Sequence, residues 1–446
     1  MDRRELAQDL LRRARASGAD AADVLVSEGT DFSVTVRQGG IETLEEAASK
    51  ALGIRVFVGK RTATAYSSDF STAALAALVG DVVAMARATG EDPAAGLPDE
   101  TPAPEALDLQ LHDASPASLP AAERIEWARR AEAAAFAASP EITNSQGATF
   151  SVAEGSVVLA NTLGFLGGYR TSSASLSVVP VAQRDGQMQR DYWYSVGRGL
   201  ADLPSPEEIG RTAASRTLRR LGSRRVPTCQ VPVVFDPETA EALLGHVFSA
   251  LSGYAVFRDA TFLRGRTGET VASPLLTIVD DGRRVRGLGS RPFDGEGLPT
   301  RRNVPLEAGV LRHFLCDSYS ARKIRARPTG SARRGVAGGP TVGPGNLYVQ
   351  PGATPAAEIV AGLERGLYVT DLIGFGVNLV TGDFSQGAAG QWVEKGRFVH
   401  PVHEVTIAGN LKEMLRDVDA VGDDLQFRRS VASPTLRIRK MTVSGS

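Results

Sequence analysis

The residues able to do chemistry are few and scattered. The chain has five histidines, at 112, 246, 313, 400 and 403, and two cysteines, Cys229 and Cys316. No histidine pair stands at HExxH spacing, which would set two imidazoles on one helix face for zinc. The tightest group is His400-Pro401-Val402-His403-Glu404. On a strand, positions three apart face opposite sides, so these two rings do not easily grip one ion. Pro401 assigns the segment to an edge or a turn. The cysteines make neither a CxxC pair nor a disulfide framework. Ser320 and Lys323 form an SxxK pattern. On a helix it would set a hydroxyl beside an amine, as acyl-transfer chemistry requires. Its usual companions, SDN and KTG, are missing. His246 follows Leu243-Leu244-Gly245, and its plain reading is a helix histidine beside a packed apolar face. GxxxxGK[ST], GxSxG and a GxGxxG between strand and helix are also missing.

The elements that must position these residues form two textures. The first ninety residues read as helix, hairpin strands, helix, which is an α+β order. A helix runs from Arg3 to Ser17 and ends at Gly18, and a second spans Ser71–Ala88. Gly39-Gly40 is a two-residue hairpin signal. Residues 89–120, rich in Pro, Asp and Ala, read as a linker. A helix from Pro120 to Ala138, long strands through Tyr194 and a helix from Glu207 to Leu221 follow. At Val231 a buried strand leads into a helix capped near Asp236-Pro237. Beyond Thr261 short strands dominate, with a helix predicted at 359–370. The stretch RPTGSARRGVAGGPTVGPGN (327–346) reads as a solvated Gly/Pro loop whose basic start is free to meet a partner. The expected organisation is an α+β domain over 1–225, with an antiparallel sheet flanked by helices. A mainly β, barrel-like domain over 226–446 follows.

Composition narrows the function classes. Fifty Lys+Arg balance 51 Asp+Glu for a net charge of −1. A nucleic-acid binder would show a basic excess. No run approaches the roughly 18 apolar residues of a membrane span. The charged N-terminus lacks a signal-peptide core, so a cytoplasmic location is expected.

Longer motifs carry more. They are LLGHVFSALSGYAVFRDATFL (243–263), RPFDGEGLPTRRNVPLEAGVL (291–311), SYSARK (318–323), NLVTGDFSQGAAGQWVEKG (378–396) and PVHEVTIAGNLKEMLRDVDAVGDDL (401–425). With the N-terminal SGADAADV and VRQGGIETLEEA, they make the whole chain resemble the TldD/PmbA proteins, peptidase family U62, on the PmbA/TldE branch. The resemblance implies a cytosolic peptidase complex that cleaves short or unfolded peptides, including peptide maturation. TldD-type members carry an HExxxH helix and a later cysteine for zinc, with the glutamate as general base. Matched to that helix, Gly245 takes the first histidine position, His246 the glutamate position and Ala250 the second histidine position. SVASPTLRIRKM has no cysteine. The resemblance therefore implies no cofactor in this chain and zinc in a TldD-type partner, as a heterodimer. It leaves His246, Ser320, Lys323, Asp383 and Trp392 as candidate walls of a peptide cleft. The Gly-rich GDFSQGAAG and SARRGVAGG suit close backbone approach or, more plainly, tight turns. Two other readings stay open. One is a peptide-binding or scaffolding homodimer without proteolysis. The other is an independent hydrolase built on Ser320 and Lys323.

Overall fold

The computed structural model describes residues 2–100 and 107–445. Two very long hairpins make the N-terminal sheet. Strands β1 (Ala21–Arg37) and β2 (Gly40–Val58) pair antiparallel from Ala21↔Phe57 to Arg37↔Gly40. The turn between them is Gln38-Gly39, one residue earlier than the sequence reading. Both residues take positive φ, 51° and 76°, as a type I′ turn requires, while Gly40 is already paired. Strands β3 (Arg61–Ser67), β4 (Ile142–Asn161), β5 (Leu166–Arg184) and β6 (Gln187–Arg190) complete the order β3-β2-β1-β4-β5-β6, and β7 (Trp193–Gly197) also pairs with β5.

Period-two alternation gives this sheet two working faces. Val24 and Val26 of β1 and Ile54 of β2 pack under α1 (Arg3–Ala16) and α2 (Thr72–Ala88). Further along the same face, Phe32, Val34 and Phe150 pack under another helix pair. After the short α3 (Ser115–Ser118), that pair is α4 (Ala121–Ala137) and α5 (Pro206–Leu218). The opposite face presents Leu25 and Leu159, which pack on Phe293 and Val336 of the C-terminal part.

The C-terminal part starts with β8 (Cys229–Phe235) and α6 (Pro237–Ala250), followed by α7 (Gly253–Phe257) and α8 (Ser318–Ile324). Its main sheet runs Arg397–Asn410, Asp383–Glu394, Arg365–Ile373, β8, Leu436–Ser444, Val418–Val421. Arg397–Asn410 also pairs with Leu436–Ser444, so five strands close into a barrel. The expected helix at 359–370 is a correction. Helix covers only Ala356–Ala361, and Arg365–Ile373 is a strand beside β8 with Leu367 and Val369 in the core. Burial on one strand face overrides the helical reading there.

The linker expectation also changes. Residues 101–106 lie outside the described residues. Residues 92–99, however, are strapped to the C-terminal part. Arg322 donates to the carbonyls of Ala94 (3.1 Å), Gly96 (3.3 Å) and Leu97, and Ala94, Ala95 and Leu97 are buried. Among the described residues, no helix is long and apolar enough to cross a membrane.

Candidate functional site

Helix α6 is fixed by its N-cap. Asp236 Oδ1 accepts from the Thr239 amide and hydroxyl, both at 2.9 Å, and Pro237 fills the first helical position. Leu243, Leu244, Val247 and Ala250 pack inward, while Glu238, Glu241, Gly245 and His246 stay partly open. Gly245 faces open space, where an added Cβ meets nothing within 4 Å, and Ala250 is fully buried. His246 is half-buried, and burial pushes its pKa below the ordinary value.

Beside the open face lies a dense cluster. Tyr194 donates to Glu238 Oε2 at 2.9 Å, and Arg428 reaches Glu238 Oε1 at 3.3 Å. Arg429 stands 3.9 Å from Glu241. Arg428 and Arg216 lie over the Trp193 ring at 4.3 and 4.9 Å, and Arg429 lies over Tyr194 at 4.7 Å. Burial raises the Glu241 carboxyl to about 7, more than Arg429 lowers it. A carboxyl that titrates there can take or give a proton at neutral pH. Glu241, Tyr194, Arg428 and Arg429 were not singled out by the sequence. The available signal was the aromatic run Tyr192-Trp193-Tyr194 and the pair Arg428-Arg429, far apart in the chain.

The other predicted residues do not gather around α6 in one group. Ser320 is fully buried, and its hydroxyl donates to Asp317 Oδ1 at 2.6 Å, inside the N-cap of α8. Lys323 turns to Asp92 Oδ1 at 2.8 Å. Hydroxyl and amine thus serve separate carboxylates rather than each other. Asp383 is exposed and closes a turn, accepting from Thr381 Oγ1 at 2.6 Å and Asn410 Nδ2 at 3.1 Å. Trp392 belongs to the barrel core, and its indole donates to Glu394 at 3.1 Å. His403 and Glu404 sit where the strand register shifts, and Glu404 has φ 50°. His400 Nδ1 lies 3.1 Å from the Pro401 carbonyl. Among the described residues, no group of three or more His, Cys, Asp or Glu is placed to hold a metal ion. A glycine and a buried methyl at 245 and 250 do not fit zinc.

A second locus lies between the N-terminal sheet and the C-terminal loops. The segment expected to be a solvated basic loop is docked there. Arg333 donates to the Pro344 carbonyl at 2.6 Å, and the Arg334 side chain, fully buried, pairs with Asp23 on β1. Asp23 also takes Arg55 of β2 at 2.5 and 3.0 Å. Burial pushes the Asp23 carboxyl up, but the attraction of Arg334 and Arg55 outweighs it and holds it below the usual range. A cavity of about 350 Å³ opens between the sheet face and this loop. Asp294 and Glu296, in the loop before it, are pushed up by burial, and in Glu296 also by the charge of Asp294.

The comparisons with known proteins agree along the whole chain. Residues 22–86, 114–221 and 228–445 match profiles described as domain 1, the central domain and the C-terminal domain of PmbA/TldA metallopeptidases. The metalloprotease PmbA of Escherichia coli O157:H7 is 40% identical over 432 residues, covering 96% of this chain and 94% of that protein. A TldD homolog from Haemophilus influenzae is 25% identical, covering 96% and 93%. A crystal structure of a candidate modulator of DNA gyrase from Bacteroides thetaiotaomicron superposes with a TM-score of 0.92 at 28% identity, covering 99% and 98%. TldE from Thermococcus kodakarensis shares the fold, with a TM-score of 0.86 at 21% identity over 99% and 100%.

Proposed function

Because this chain belongs to the PmbA/TldD metallopeptidase family, we propose that it is the metal-free, TldE-like subunit of a cytosolic peptidase. A TldD-type zinc subunit completes that peptidase, and the pair cleaves short or unfolded peptides. The observation that carries this reading is α6. Where the resemblance places the metal motif, Gly245 and Ala250 stand at the two ligand positions and have no side chain that can hold zinc, and His246 stands at the position of the general base. The open face of α6, with Glu241, Tyr194 and Arg429 beside it, would serve as a chamber wall. His246 would lie on that wall. Asp383 and Trp392 would hold the barrel strands behind it, and Ser320 and Lys323 the α8 region. In this reading residues 1–225 and 226–446 are the two structural units.

The test mixes the purified chain with a TldD-type subunit from the same organism. Light scattering, zinc content and hydrolysis of an unstructured fluorogenic peptide are then measured for each chain and for the mixture. Expected are a zinc content near zero and no hydrolysis for this chain alone. The mixture should form a hetero-complex that holds zinc and cleaves the peptide. Zinc near one per chain, or hydrolysis by this chain alone, would overturn the proposal. A chain that stays with itself when the TldD-type subunit is present would favour the scaffolding homodimer instead.

A further inference from the structure

The cavity between the N-terminal sheet and the docked loop has the makings of a ligand site. Its volume, about 350 Å³, lies at the lower end of small-molecule pockets. Its lining mixes apolar walls, among them Leu25, Leu159 and Phe293, with four cations, Lys50, Arg291, Arg333 and Arg334. Among the described residues, the one carboxylate in the lining is Asp294, and it is spent on backbone amides. It accepts the amides of Glu296 at 2.9 Å, Leu298 at 3.0 Å and Ala332 at 3.2 Å.

The arginines are not equally spent. Arg333 is held by the carbonyls of Pro344 and Gly289. Arg291 gives one nitrogen to the Ala332 carbonyl at 3.1 Å, and Arg334 gives one to Asp23. The Nε and Nη1 of Arg291 and the Nε and Nη2 of Arg334 are buried without a hydrogen-bond partner among the described residues. Arg291 is 4% exposed and the Arg334 side chain 0%. A buried donor left unpaired carries its full desolvation penalty, and a guanidinium fork matches an oxyanion with two parallel bonds. A carboxylate on an apolar residue would pair with Arg291, which keeps some exposed surface, and cover the apolar walls at once, while the enclosed Arg334 side chain adds only its charge nearby. Inorganic phosphate would use only the donors.

We infer that this cavity binds an organic carboxylate, the C-terminal carboxylate of a peptide that ends in an apolar side chain. The choice of a peptide as ligand rests on the peptidase reading above. Binding itself is measured on the isolated chain without zinc or partner, so either proposal can fail while the other stands.

The experiment is calorimetric titration of the full chain with N-acetyl-alanyl-leucine, its carboxamide and inorganic phosphate. The free carboxylate is expected to bind about tenfold or more tightly than the carboxamide, the ratio of a charge-assisted pair to a neutral one. Arg291→Gln should weaken it by about the same factor. Because a buried arginine variant can fail to fold, Ala51→Leu is measured beside it. That change fills the cavity from β2 with every arginine in place, and it should abolish binding. No binding of the peptide acid would overturn the inference. So would equal affinity for acid and carboxamide, tighter binding of phosphate, or full affinity in folded Ala51→Leu protein.

Discussion

Glu241 is the residue whose chemistry departs furthest from its sequence. Its carboxyl rises from an ordinary 4.5 to about 7, chiefly through burial, with Glu238 adding and Arg429 and Arg428 opposing. Between those values the folded chain holds a proton that the unfolded chain has lost. Stability from this group is therefore complete below about pH 4.5 and is lost as pH rises through about 7. His246 and His313 act in the opposite sense, because burial keeps them neutral and favours folding as pH rises. Glu241→Gln isolates the carboxyl. We expect the variant to show a shallower decline in Tm than wild type across roughly pH 5 to 7.5, because Asp294 and Glu296 keep their own raised carboxyls, and to melt higher at about pH 8. An unchanged slope would assign the decline elsewhere. None of this was legible in the sequence, since Glu241 reads as an ordinary surface glutamate. Arg429 lies 188 positions away, and only the fold brings it close.

At the scale of elements, the turns and caps were largely readable. Ser71, Ser205 and Asp236 each cap a helix through a side-chain oxygen. Four two-residue turns, Gln38-Gly39, Asp185-Gly186, Ala308-Gly309 and Lys395-Gly396, place glycine second with φ between 71° and 78°. Gly53 has a different reason to be glycine. Its φ is not positive, yet a Cβ there would stand 2.0 Å from the Val336 carbonyl oxygen, where the docked loop crosses β2. Gly53→Ala should therefore push the loop away and cost about 1–3 kcal/mol, as overpacking does. Urea unfolding measures the cost, and protease cutting within residues 335–340 reports the loop. Wild-type stability with unchanged cutting would contradict the packing argument. The misread segment is Arg365–Ile373. Its apolar residues fit a short helix as well as a strand, and pairing with β8 on one side and Asp383–Glu394 on the other decides between them.

Across the whole molecule, the two parts are joined by buried charge. Asp23 carries both Arg55 from its own sheet and Arg334 from the docked loop, and Glu296 lies 3.9 Å from Arg55. Removing the shared carboxylate leaves Arg334 buried without its paired counter-charge and Arg55 with only the more distant Glu296. Asp23→Asn should then cost about 3–5 kcal/mol by urea unfolding. Adding Arg334→Met should recover part of that loss, because it removes one of the stranded charges. A single variant as stable as wild type would mean that water reaches these arginines.

The sequence by itself determined the family, the hairpin order of the strands, the helix caps and the residues at 245, 246 and 250. These rest on local chemistry: side-chain period, capping oxygens, glycine in x-Gly turns and motif identity. Tertiary structure alone decided that Arg333 and Arg334 of the basic loop are docked, that residues 92–99 form a strap, and that Ser320 and Lys323 serve different carboxylates. It also decided where Glu241 meets its arginines and where the cavity opens. Each of these depends on contacts between residues distant in the chain. The physical reason is that burial and charge pairing are set by whatever lies opposite a side chain, which sequence spacing does not encode.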